Sequence, residues 1–163
     1  MSAAPAAPMR RLQRIQRLCR KEAAGLERVA SRLFAIALTG QQLATLDSDD
    51  SLSERIDAFA ARFSRLQDAI TDKLLPAYFD LVQEPARPVV EMLDRAERLG
   101  LIDSADAFLA ARKLRNRLVH EYVEDRDELA ANLNAAQSFV PHLISALDRV
   151  AQASQRLQQG QST

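Results

Sequence analysis

A chain of 163 residues, 47% of them hydrophobic, is long enough to bury a core and too apolar to be a disordered segment. Its 22 basic and 22 acidic residues cancel, so the molecule as a whole carries no general attraction for polyanions. Ala, Leu, Arg, Glu and Gln dominate over 4 Gly and 6 Pro, which argues for an all-α protein, and a single cysteine, Cys19, excludes an intramolecular disulfide.

Residues 1–9 (MSAAPAAPM) read as a disordered tail, residues 10–157 as one helical domain and residues 158–163 as a polar tail. No apolar run reaches membrane-spanning length and none forms a signal-peptide core, so the expected location is the cytoplasm. A first long helix is expected from Arg10 towards Leu38, with Thr39-Gly40 as its stop. Arg10, Arg11, Arg14, Arg17, Arg20, Lys21, Arg28 and Arg32 make it basic, against only Glu22 and Glu27. That stretch reads either as a solvated face or as a local phosphate-contacting one.

Gln41 to Asp50 is a polar, acidic loop by composition. Ser51 and Glu54 have capping-box spacing, and behind them Ile56, Phe59, Phe63, Leu66, Ile70 and Leu74 recur in steps of three and four. These residues predict a second long helix that Pro76 kinks or ends, with a break at Glu84 to Pro88. A short third helix follows from Val89 to Leu99, stopped by Gly100. Asp103 is the expected N-cap of a fourth helix reaching about Tyr122 or Val123. Asp125 with Glu128 opens a fifth, through about Leu157, bent at Pro141. The expected fold is an up-and-down bundle of about five helices.

The fourth helix carries the candidate chemistry. On a wheel of about 100° per residue, Asp106, Lys113, Arg117 and Glu121 share a polar sector. Leu101, Ala105, Phe108, Ala111, Leu118, Val119 and Tyr122 lie opposite. Arg115 falls in the middle of that apolar sector, with Arg112 nearby, and an arginine there is either paired or has a task. Asn116 and His120 are one turn apart at the border with solvent, and Tyr122 lies about two turns beyond Arg115 on nearly the same line.

Arg115-Asn116-Arg117-Leu118-Val119-His120 resembles the motif of the HEPN nucleases: an arginine, a polar residue, spacers, then a histidine. Glu121-Tyr122 extends the likeness to the narrower HepT toxin form. The order of elements is similar too, including the Asp94 to Ile102 segment (DRAERLGLI) before the motif helix. The resemblance covers Leu52 to about Val150 as architecture and is sharp only at RNRLVHEY.

It implies a metal-independent endoribonuclease that uses the ribose 2′-hydroxyl as nucleophile, with Arg115, Asn116 and His120 catalytic and Arg112 and Arg117 contacting substrate. It also implies a homodimer whose two motifs meet across a two-fold axis. Tyr122 would accept AMP from a cognate MNT nucleotidyltransferase antitoxin, and the added bulk and charge would repel the RNA phosphate. No metal or nucleotide cofactor is expected, because no His/Cys/Asp cluster has ligand spacing and no Gly-rich loop is present.

Taken singly, each residue has a plainer reading. Arg115 pairs with a carboxylate on the second helix, Asp68 or Asp72; His120 is a boundary histidine; Tyr122 is a core aromatic with a wet hydroxyl. Cys19 reads as inert, and His142, on a different helix, has no assigned role. The alternative to a toxin is a non-catalytic HEPN module that binds a nucleotide or a partner protein through the same groove.

Overall fold

Leu12, Ile15, Cys19, Ala23, Leu26, Ala30 and Leu33 follow one another in steps of three or four, and all are buried on one face of helix α1 (Ala7–Leu33). The computed structural model describes residues 6–120 and 123–160, position 120 by its backbone alone. Helix α1 starts three residues earlier than composition suggests. Pro8 sits in its first turn, where a missing N–H costs nothing, and Met9 is 4% exposed and anchors that turn in the core.

The helix also ends earlier, at Leu33, not Leu38. Leu38 is still buried, but in an irregular segment, and its carbonyl accepts a hydrogen bond from Asn134 Nδ2 at 2.9 Å. Phe34 caps the helix and sets its ring edge-on to Phe59, 5.1 Å between centroids.

After a 3₁₀ turn at Leu46–Ser48, helix α2 (Asp50–Ala69) is capped by Asp49, whose side chain accepts from the Leu52 N–H at 3.0 Å. The Ser51/Glu54 pair therefore lies inside the first turn and is not the cap. The expected stripe is buried throughout: Phe59, Phe63, Leu66, Ile70 and Leu74 are 0% exposed, and each contributes about 1.5–3 kcal/mol relative to exposure.

Pro76 neither ends nor breaks this rod. A π segment, Ile70–Leu74, leads into α3 (Leu75–Leu81), and the Leu75 N–H bonds back to the Ile70 carbonyl, five residues earlier. The wider turn before Pro76 accommodates a ring that would otherwise press on the preceding carbonyl.

The break at Glu84 to Pro88 is present, and Glu84 holds it together. Its carboxylate takes Arg95 Nη2 at 2.7 Å and Arg87 Nη1 at 2.7 Å. Helix α4 (Val89–Arg98) ends as expected at Gly100, whose φ of +72° suits a residue without a Cβ.

Helix α5 (Ala105–His120) is capped by Ser104, whose Oγ accepts from the Ala107 N–H at 3.1 Å. Asp103, the expected cap, instead reaches His142. Helix α6 (Arg126–Gly160) opens on Asp125, which accepts from the Asp127 and Glu128 N–H groups at 2.8 and 3.2 Å, as its capping signature predicts. It continues through Pro141, which is exposed.

The described residues form no strand, and the fold is all-α: α1, the α2–α3 rod, α5 and α6 pack in a ring, with short α4 against α5. Helices α2 and α5 run antiparallel, because Asp68 pairs with Arg115 and Asp72 with Arg112. Among the described residues, no helix is long and apolar enough to cross a membrane.

Two predictions follow from this packing. The bonds from Arg95 and then Arg87 hold the Glu84 carboxyl down at about 2, below its ordinary 4.5. A depressed carboxylate stabilises the fold above its unfolded value and loses that contribution as pH falls through the folded one. The urea midpoints of wild type and Glu84→Gln should therefore differ at neutral pH and converge between about pH 4.5 and 2; a constant gap would deny the fork any role. Cys19 is fully buried and desolvation pushes its thiol up to about 11, so a disulfide-exchange reagent at about pH 8 should label it only after unfolding.

Candidate functional site

Helix α5 reaches its neighbours through Ala105, Phe108, Ala111 and Leu114, each at most 5% exposed. The next residue along, Arg115, is what the wheel marks as out of place. Its side chain is 23% exposed, and Nη2 lies 2.6 Å from Asp68 Oδ2 on α2. A partly buried guanidinium is tolerated because a carboxylate faces it directly. Its Nη1 donates to the side-chain carbonyl of Asn116 at 3.1 Å, so the two motif residues touch.

One turn earlier, Arg112 Nη1 lies 3.5 Å from Asp72 Oδ1 in a more exposed pair. Two carboxylates, Asp68 on α2 and Asp72 in the π segment, thus face two guanidiniums on α5. The paired reading of Arg115 is correct, with Asp68 as the partner. Asp68 and Asp72 are legible in the sequence only through the question of what Arg115 would meet.

Asn116 is exposed, and so is Val119 at 47%. Val119 is therefore not on the buried face where the wheel puts it. The inward sector is rotated towards Leu114 and Leu118, because α5 is wedged between α2 and α6. Arg112, Asn116 and Val119, in steps of four and three, form the outward edge of the motif helix.

Arg117 is on the opposite flank of α5. With Asp47, Asp50, Asp57, Arg126 and Asn132 it lines a hollow of about 430 Å³, where three carboxylates make poor company for a phosphate. The structure therefore does not bring Arg117 together with Arg115. His120 is the last residue of α5, and its side chain, like the whole of Tyr122, lies outside the described residues.

One pair was not anticipated. His142 Nδ1 on α6 lies 2.8 and 2.9 Å from the two carboxylate oxygens of Asp103. An ionised carboxylate only accepts, so Nδ1 carries the hydrogen, and the pair ties the start of α5 to α6. The sequence signal was available, since Asp103 offered itself as a cap while Ser104 beside it could serve equally well.

The Arg115–Asp68 contact should be measurable by a double-mutant cycle of Arg115→Gln and Asp68→Asn. At this partial burial a coupling of about 1 kcal/mol in unfolding free energy is expected. Additive effects would mean that the two side chains do not act on one another.

Compared with known protein families, curated proteins and solved structures, the chain matches none.

Proposed function

We propose that this protein is a metal-independent endoribonuclease toxin of the HEPN kind, close to the HepT form. The observation that carries the reading is the pairing of Arg115 and Asn116 at the α2–α5 border, one turn before His120 in the chain. A guanidinium whose orientation is set by Asp68 and by the neighbouring amide pays little ordering entropy when it meets a phosphate.

The chemistry suits these residue types. The ribose 2′-oxygen attacks the adjacent phosphorus, the bond to the 5′-oxygen breaks, and a cyclic phosphate and a free hydroxyl result. The 2′-hydroxyl proton passes to a base and the departing oxygen receives one from an acid, roles an imidazole can fill near neutral pH. Arg115 and Arg112 would balance charge building on the phosphate oxygens, and Asn116 would hold the imidazole or a phosphate oxygen.

One motif supplies one imidazole, so a second copy is the natural source of the other proton-transfer group. Val119, apolar and exposed beside Asn116, supports a homodimer that closes over this edge. Arg117, across the helix, contacts substrate only outside this core.

In this reading, a cognate MNT nucleotidyltransferase places AMP on Tyr122, and the added negative charge keeps RNA from Arg115. The second reading is a non-catalytic HEPN module that binds a nucleotide or partner protein. It is favoured by one observation: Asp68 already gives Arg115 a structural task.

Purified protein should cleave single-stranded RNA in the presence of a chelator, and His120→Ala should lower the rate by roughly 10²- to 10⁴-fold with helicity unchanged. Undiminished cleavage by that variant would exclude the catalytic assignment. Wild-type protein that cleaves nothing yet still binds RNA would favour the second reading. Co-expression with a nucleotidyltransferase from the adjacent reading frame should add the mass of one or more AMP units, and Tyr122→Phe should abolish the gain.

A further inference from the structure

The basic residues of α1 divide into two groups once the fold is known. Arg11 reaches Asp80 at 3.9 Å, and Arg20 reaches Asp148 of α6 at 2.7 Å. Glu22 draws Arg62 and Arg65 from α2, at 4.0 and 3.3 Å. These groups flank the buried face and join α1 to its neighbours. Arg14, Arg17, Lys21, Arg28 and Arg32 are different: all are exposed, and none has a carboxylate within ion-pair distance among the described residues.

Their positions are not scattered. Starting from exposed Arg10, the steps to Arg14, Arg17, Lys21, Arg28 and Arg32 are four, three, four, seven and four. At 3.6 residues per turn, all six fall within a sector of roughly 60°, along about 33 Å of helix. Neither acid of α1 enters that sector: Glu22 and Glu27 lie roughly 100° or more from its centre. In a chain of zero net charge, such a line is a local arrangement and not the overflow of a basic composition.

We infer that this stripe binds the sugar–phosphate backbone of a single-stranded nucleic acid. A row of exposed cations complements a row of phosphates, and contacts to the backbone alone carry no sequence information, so binding is insensitive to sequence. A lipid surface fits less well. An interfacial helix offers it an apolar face, whereas the apolar face of α1 is buried in the core, and among its described residues Leu18 is the one large hydrophobic exposed.

A single strand is favoured over a duplex by what lies alongside. Arg17 and Lys21 border a groove of about 660 Å³ between α1 and α6, floored by Leu147 and Ala151 and edged by Gln13. Unstacked bases can turn into that groove while the backbone follows the cations. The inference stands on α1 and does not depend on the ribonuclease reading.

The test uses an oligodeoxythymidylate of about twenty nucleotides, which lacks the 2′-hydroxyl and cannot be cut by the chemistry proposed above. Binding by the full chain is followed by fluorescence anisotropy across a salt series. Replacing Arg14→Gln and Arg17→Gln together should weaken binding roughly 25-fold at about 0.1 M salt and reduce the salt slope by roughly 1.4. The control pair Arg98→Gln and Lys113→Gln, both exposed elsewhere, removes the same charge and should change neither.

An unchanged affinity and slope in the stripe variant, or an equal loss in the control, overturns the proposal. So does binding to phosphatidylserine vesicles without binding to the oligonucleotide. If His120→Ala cleaves RNA normally while the stripe variant loses DNA binding, the catalytic reading fails and this one stands. The reverse pattern separates them the other way.

Discussion

The register of α5 against the α2–α3 rod is marked by two ion pairs, one from α2 and one from the π segment. Asp68 meets Arg115 and Asp72 meets Arg112. Phe108, Ala111 and Leu114 fall inward, while Asn116 and Val119 are left outward. Burial of Phe108, Ala111 and Leu114, each at most 5% exposed, supplies most of the energy that holds this orientation. The ion pairs add a preference for register along the helix, since each carboxylate meets its own guanidinium.

The apolar periodicities made the helices legible. The stripe from Ile56 to Leu74 and the stop at Gly100 are local signals, and local signals suffice for them. Boundaries were less legible where tertiary contacts decide. Met9 draws the start of α1 into the core, and Asn134, nearly a hundred residues away, holds the Leu38 carbonyl in an irregular segment. Caps were ambiguous wherever two suitable residues adjoin, as at Asp103 and Ser104, because only the position of His142 decides which is free to cap.

The candidate site shows the same division. That Arg115 needs a partner follows from its place on the wheel; that the partner is Asp68 requires the packing of α2 on α5. The outward turn of Val119 and the separation of Arg117 from the motif edge could not be read from a wheel, which assigns one buried face to a helix that here contacts α2, α4 and α6. Helix α1 carries a second lesson. Its arginines look alike in sequence, and only the carboxylates contributed by α3 and α6 distinguish those that fasten the bundle from those that face solvent.

The π segment before Pro76 has one more consequence. One additional residue in a single turn shifts the phase of everything after it by about 100°. The rod from Asp50 to Leu81 is therefore two helical stretches whose faces are offset from one another. Its first half packs on α1, α5 and α6, and its second, with Leu75, Tyr78 and Phe79 inward, on α1 and α6. A phase offset lets the chain present a different face without a loop, and it leaves Asp68 on one side of the offset and the buried Tyr78 and Phe79 on the other.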